Sequence, residues 1–386
     1  MQFVRFFVPL WPMTHDEDIY MELLRAGLWD RPAVVSGEAD WRKVVALARR
    51  QSTCGTVFQA ALALEGPSSV SADMLPLMQS FLMKTVNAHA AANHTIARLV
   101  KALQSEGIEP VLLKGQGVAA CYPQPLLRQC GDIDLYVGRD SYEAACRIVS
   151  QFRAADPSDV DLANGDSHET EKHFSFSMGG GLEVEIHRFT EVLDDVRQDV
   201  VWQAISDQGT NTNLVPMTFE DVTVQTPNDD FNALYIFHHM WHHVIGMGMG
   251  MRQLCDWTMF LHSRAGHLDT ALLWRRLTDM RLTDVWQVFG CMAVDYLGLP
   301  ADEMPFYHPS YSHRARCLLH YLLSEGDNRE FKFGRSENPL RKKTATGCYL
   351  VRKCIRLMPV FPRIAIHTFF HSLSSGIGHF CHHSTV

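Results

Sequence analysis

Three absences bound what this chain can be. None of its 10 cysteines forms a CxxC pair, which excludes a zinc ribbon and a dithiol redox motif. Scattered free thiols fit a reducing, cytoplasmic compartment with no disulfide partner. No uncharged apolar run is long enough, at about 18 residues, to suggest a transmembrane helix. Positive charge is not in excess either. Lys and Arg total 35 against 43 Asp and Glu, a net charge of -8. That balance argues against long nucleic acid, whose phosphate backbone needs a basic track. Internal repeats and low-complexity domains are also missing.

What is present is an ordinary globular composition, 46% hydrophobic and 20% charged over 386 residues, enough for two or three packed modules. The apolar start of the chain is broken by Arg5 and two prolines, so it reads as packing and not as a signal peptide. Four regions follow from the pattern: helical residues 1–107, a strand-bearing segment 108–225, a helical domain 226–330, and a basic, aromatic tail 331–386.

In the first region, helices are expected over 15–26, from an Asp40 cap to Leu64 with Gly55 as a weak point, and over 73–106 with Gly107 as the stop. In the second, Val111–Leu113 reads as a buried strand and 118–122 as helix-compatible. Residues 131–137 read as a strand, 141–152 as a helix and 155–170 as a polar loop. Residues 173–178 and 182–189 form a hairpin about Gly179-Gly180-Gly181, and 222–225 a short strand. Thr226-Pro227 opens a helix to His243 by a capping hydroxyl and a proline at the first turn. Further helices are expected over 252–263, 268–280, 282–297 and 310–325.

The stretch that carries chemistry is Glu109 to Val137. A strand runs into the Lys114-Gly115-Gln116-Gly117 turn, a short helical piece follows, and Gly131-Asp132-Ile133-Asp134-Leu135 returns as a second strand. Residues two apart on a strand share a face, about 7 Å apart along the chain. Asp132 and Asp134 can therefore reach one metal or a pair of metals. The glycine turn offers backbone N–H groups to phosphate. Downstream, Glu183, Glu185 and His187 share one strand face, with Leu182, Val184 and Ile186 on the other.

LLKGQGVAACYPQPLLRQCGDIDLYV resembles the signature of an uncharacterised nucleotidyltransferase family in the polymerase-beta-like superfamily. The family's Leu-Lys-Gly turn, Tyr-Pro step, Arg and Gly-Asp-x-Asp-Leu all have counterparts in it. Glu185-Ile186-His187 resembles the family's later acid-x-His strand, and Arg252 to Trp257 its helical Arg and Asp segment. The resemblance covers roughly residues 40–300. One departure is plain: the third acid is usually Asp, and this chain has Glu185, with Glu183 as its competitor. The resemblance implies an α+β fold: a small mixed sheet of the polymerase-beta-like nucleotidyltransferase type, set between helical regions, with 108–225 as the nucleotidyltransferase core. It further implies transfer of a nucleoside monophosphate from NTP to an acceptor. Asp132, Asp134 and Glu185 would hold Mg²⁺, with Mn²⁺ as a substitute. Glu185 would also help deprotonate the acceptor. Lys114, Gly115, Gln116 and Arg128 would bind the triphosphate, unless Arg128 is a structural ion pair. The acceptor is open: small molecule, sugar phosphate or protein.

His238-His239-Met240-Trp241-His242-His243 invites a zinc reading, since His238 and His242, and His239 and His243, are four apart. No Glu intervenes as in HExxH, so a zinc hydrolase is the weaker alternative. A helix whose imidazoles, His239 and His242 among them, line an acceptor cleft or pack against it is preferred; His187 is either a further acceptor-site group or a hydrogen-bonded structural histidine. A catalytically silent nucleotide-binding or scaffold protein is the other alternative, and the Glu at the third acid position is its support. The tail, with Arg341, Lys342, Lys343, Arg352, Lys353 and Arg356, reads as a solvated or core-capping helix, with contact to an anionic membrane as the weaker alternative. His379, His382 and His383 have no assignment.

Overall fold

The computed structural model describes residues 12–154, 167–178, 182–246, 248–325, 349 and 351–366. Four helices lead: α1 (His15–Leu28), α2 (Trp41–Arg50), α3 (Cys54–Leu62) and α4 (Leu75–Ser105). The core follows as β1 (Val111–Leu113), α5 (Gly115–Ala119), β2 (Ile133–Tyr136), α6 (Gly138–Ala154), β3 (Ser167–Glu169), β4 (His173–Met178) and β5 (Leu182–His187). Next come α7 (Val196–Asn211), β6 (Val215–Phe219) and β7 (Val222–Thr226). Five helices follow, α8 (Asp229–Ile245), α9 (Met251–Ser263), α10 (Thr270–Asp279), α11 (Thr283–Leu297) and α12 (Ser312–Glu325), and further helical residues lie at 351–357 and 362–366. This is the expected α+β class, a mixed sheet among helices. No helix among the described residues is long and apolar enough to cross a membrane. Of the other expectations, the apolar start up to residue 11, the Gly179-Gly180-Gly181 turn, Arg341 to Lys343 and the terminal histidines lie outside the described residues.

The sheet has seven strands in the order β3-β4-β5-β2-β1-β7-β6. β1 runs antiparallel to β2 and parallel to β7, and β2 runs parallel to β5. Alternation along the strands sorts the two faces. Leu112, Ile133, Leu135, Val184 and Ile186 pack on one side with Leu99, Val100 and Leu103 of α4 and Tyr142, Ala145 and Val149 of α6. Val111 and Leu113 face the other way, into a larger core that unites α1 with α8, α9 and α11. The acids lie on that second face.

Several boundaries differ from expectation for local reasons. Asp40 does cap α2, accepting from the Lys43 N–H, but the helix stops at Arg50. Ser52 turns to a φ of 55°. Gln51 then donates to Leu322 O and accepts from the Met251 N–H, joining three helices. Gly55 is not the break: it lies in the first turn of α3 against the chain at Leu127, where a Cβ would lie 1.9 Å from Leu127 O. Thr226 is not the cap of α8. It ends β7 with its hydroxyl on Val215 O, and Asn228 caps the helix by accepting from the Phe231 N–H. The polar stretch to Thr170 is not all loop, because Ser167–Glu169 pairs with β4 as an edge strand. Nothing in the pattern announced α7 or β6.

Candidate active site

Register builds the site. Asp134 on β2 is the direct partner of Glu185 on β5, and His187 on β5 is the direct partner of His173 on β4. Directly opposed residues share a face. The carboxylates of Asp132, Asp134 and Glu185 therefore converge, with ligand oxygens within 4.8 Å of one another. Asp134 has no exposed side-chain surface, whereas 30% of the Asp132 side chain is open. Asp134 Oδ2 is buried without a hydrogen-bond partner. Glu183, two residues before Glu185, is exposed and outside the cluster.

Lys114 joins β1 to α5 with a φ of 37°, a conformation that costs an ordinary residue of order 1–3 kcal/mol. The strained turn delivers its ammonium to the acids, 2.9 Å from Asp134 Oδ1 and 4.0 Å from Asp132 Oδ2. Burial disfavours the charge on Lys114, but Asp134 and then Asp132 outweigh it and raise its pKa. Burial would likewise raise the Asp132 carboxyl; Lys114, with Arg252 beside it, outweighs burial and holds it at about 2. Asp134 goes the other way. Its complete burial, with Asp132 and Glu185 beside it, raises its pKa against the pull of Lys114 and His187. Glu185 is held well below the usual carboxylate range despite burial, by the His187 hydrogen bond and by Lys114.

His187 Nε2 lies 2.9 Å from Asp134 Oδ1 and 3.0 Å from Glu185 Oε2, and its Nδ1 faces Phe189 O at 3.3 Å. The two carboxylates raise its pKa against burial. His239 on α8 comes from above, its Nε2 3.5 Å from Lys114 Nζ and 3.1 Å from His243 Nε2. Burial, and then the Lys114 charge, keep it neutral.

The other expected residues are placed differently. Gly115 has a φ of 41°, and a Cβ there would lie 3.2 Å from Asp132 O. The Gln116 side chain turns away to Asn93 Oδ1 at 2.6 Å. Arg128 makes its fork with Asp256, at 2.7 and 2.8 Å, and Tyr122 donates to the same carboxylate. Its fork is thus an ion pair with an acid of α9, not with an acid of its own loop. His242 is exposed on α8, and His238 is buried against the Trp202 ring at 4.3 Å. Among the described residues, no metal-ligand group includes a histidine of that helix.

Three nearby groups were not assigned from spacing. Arg252, on α9, lies against Gly131, where a Cβ would fall 2.8 Å from its Nη1. Only a glycine lets that guanidinium so close to the chain entering β2. The fully buried Tyr235 hydroxyl has no hydrogen-bond partner, and it feels the charges of Lys114, Asp134 and Glu185. The spacing Tyr235, His239, His243 is its only sequence signal, a stripe on one helical face. His173 stands beside Glu185, with Nδ1 3.7 Å from Oε2.

The family described as an uncharacterised nucleotidyltransferase matches this chain over residues 37–298. Among solved structures, an antigenic nucleotidyltransferase-like protein from Paracoccidioides brasiliensis is similar at 13% identity, covering 57% of this chain and 96% of that one, with a TM-score of 0.33. No curated protein matches the chain.

Proposed function

Because the chain belongs to the uncharacterised nucleotidyltransferase family, we propose that it moves a nucleoside monophosphate from an NTP to a hydroxyl-bearing acceptor, releasing pyrophosphate. The observation that carries this reading is the convergence of Asp132, Asp134 and Glu185 within 4.8 Å, beside the Lys114 ammonium. Carboxylate oxygens suit Mg²⁺, with Mn²⁺ as a substitute. The unpartnered Asp134 Oδ2 fits a ligand atom, since a buried acceptor without a donor is otherwise costly. Bound there, the metal would neutralise charge on the attacking and leaving oxygens.

The chain's own residues do the rest. Lys114 leaves Asp134 for the triphosphate when the acids gain another cation. Arg252, against Gly131, is the second cation at the rim and offers a forked contact to phosphate. The five-residue α5 behind Gly115 contributes little dipole, so side chains carry most of the phosphate charge. Arg128 acts through Asp256, fixing the loop that leads into β2. The acceptor oxygen bonds to the α-phosphorus, and the bond from that phosphorus to the bridging oxygen breaks. Pyrophosphate leaves with the electron pair, and the hydroxyl proton passes to Glu185, which His187 keeps ionised. The acceptor is a small molecule, a sugar phosphate or a protein hydroxyl.

The test is pyrophosphate release from each NTP with Mg²⁺ or Mn²⁺, in extract supplying acceptors. Asp134→Asn should reduce release more than about 100-fold, since even outer-shell partners of a metal are worth 10–100-fold. Undiminished release in that variant rejects the site. Nucleotide binding without release by the unaltered protein identifies instead a catalytically silent member of the fold.

A further inference from the structure

We propose that His173, Glu185 and His187 form a second, nitrogen-containing metal site beside the three carboxylates, sharing Glu185 with them and selecting a first-row transition ion over magnesium. The ligand atoms of these three residues also lie within 4.8 Å of one another. This deepens the nucleotidyltransferase reading and rests on it for its catalytic meaning, though not for its existence.

The sheet prepares the geometry. His173 and His187 are direct cross-strand partners, and Glu185 precedes His187 by two on the same face. Their rings are 5.0 Å apart. Glu185 Oε2 sits between them, 3.0 Å from His187 Nε2 and 3.7 Å from His173 Nδ1. Two donors each about 2.1 Å from one ion stand roughly 3.0–3.6 Å apart for bond angles of 90–120°. The first spacing falls in that range and the second within about 0.1 Å of it.

One detail points to an ion and not to a hydrogen-bond cluster, and a second is compatible with it. His173 Nδ1 is buried and makes no hydrogen bond; 3.7 Å to Glu185 is too long for one. The other detail is tautomeric. Phe189 O can only accept, so His187 Nδ1 must carry the hydrogen that faces it. Nε2 faces two carboxylate oxygens, Asp134 Oδ1 and Glu185 Oε2; without a metal it gives them a proton, and a metal ion would take that proton's place. Three electron-rich atoms cannot stay so close unless a proton or a metal ion lies between them. A ligating imidazole characteristically gives its other N–H to a backbone carbonyl, as His187 does.

Donor type then decides the ion. Imidazole nitrogen suits zinc, iron, nickel and copper, and carboxylate oxygen also suits manganese, whereas magnesium keeps to oxygen and water. The carboxylates Asp132, Asp134 and Glu185 are an oxygen site; His173, Glu185 and His187 are a mixed one. The Lys114 ammonium lies on Asp134 and Asp132 and occupies no ligand atom of the second site, although its charge also reaches Glu185 and weakens a second cation there.

The experiment titrates Mn²⁺ into the whole protein without nucleotide and reads paramagnetic resonance with electron-spin-echo modulation. One Mn²⁺ per chain should show ¹⁴N coupling and resist displacement by excess Mg²⁺. His173→Ala should weaken that ion more than about 10-fold, and Asp132→Asn should leave its ¹⁴N coupling in place. Thermal melting checks that both variants fold; should His173→Ala melt early, His173→Gln, which keeps a polar side chain of similar reach, replaces it. Mn²⁺ without nitrogen coupling, or binding unchanged in a folded His173 variant, overturns the proposal. Because no NTP is present, failure here is separate from failure of pyrophosphate release.

Discussion

His238 shows how one side chain can tie stability to pH without touching the chemistry. Burial pushes its pKa down to about 4, with Glu191 opposing. The folded state therefore binds fewer protons than the unfolded state between about pH 4 and 6.5. Stability is fully present above pH 6.5 and is lost as pH falls toward 4. At pH 5 the loss is about 2 kcal/mol. His238→Phe keeps a ring on Trp202 and removes the titration. Urea unfolding at pH 7 and pH 5 should show the unaltered protein losing about 2 kcal/mol more than the variant. Equal losses would mean that His238 is not held neutral. At this same scale the sequence spoke clearly about Asp132, Asp134, Glu185 and His187, because strand alternation alone puts them on shared faces. It was mute about His173 and Tyr235. Placing His173 needs the register across the β4–β5 hairpin, and Tyr235 is indistinguishable from any core aromatic until α8 is seated over the sheet.

Among elements, the decisive link is the one between the loop entering β2 and α9. Arg128 and Asp256 are buried and paired at 2.7 and 2.8 Å, 128 residues apart. Removing one partner strands a buried charge, typically at 3–5 kcal/mol, whereas replacing both can be neutral. Arg128→Met should therefore cost about 3–5 kcal/mol, and Arg128→Met with Asp256→Leu should recover much of it. Tyr122 loses its acceptor in the double variant, so recovery is incomplete. A single variant as stable as the parent would show that the pair holds nothing together. Element boundaries were legible where a local signal stood alone: the Asp40 cap marked the start of α2, and periodicity with the Gly107 stop marked α4. They failed where local signals mislead. The Val196 and Val200 side chains of α7 are 75% and 65% exposed, so its apolar residues do not mark its buried face. β6 carries Pro216 and lies at the sheet edge, the position where a strand tolerates proline.

Across the whole molecule, the helix that covers the site is braced from far along the chain. Lys353, in the helix at 351–357, is buried and donates to the carbonyls of Ile245 and Gly246 at the end of α8. Trp241 packs edge-on to Phe361 at 4.9 Å, and Arg314 of α12 donates to Val360 O. Arg356 is spent on Ser324 and Glu325. Two of the cations that suggested a membrane-facing tail thus serve internal contacts. A lysine on terminal carbonyls satisfies helix-end acceptors and complements the dipole. Lys353→Met keeps the stem and deletes the charge; Ile245 is half-buried and Gly246 exposed, so water can reach those carbonyls and the cost is that of hydrogen bonds to a charged group, about 1.5–3 kcal/mol. The loss should appear first at the end of α8. Amide hydrogen exchange from His242 to Gly246 should speed in the variant while β1, β2 and β5 stay protected, and Lys114, which His239 flanks from α8, should keep its place on the acids. Exchange that rises equally in the sheet would mean that Lys353 supports the fold as a whole and not this helix end.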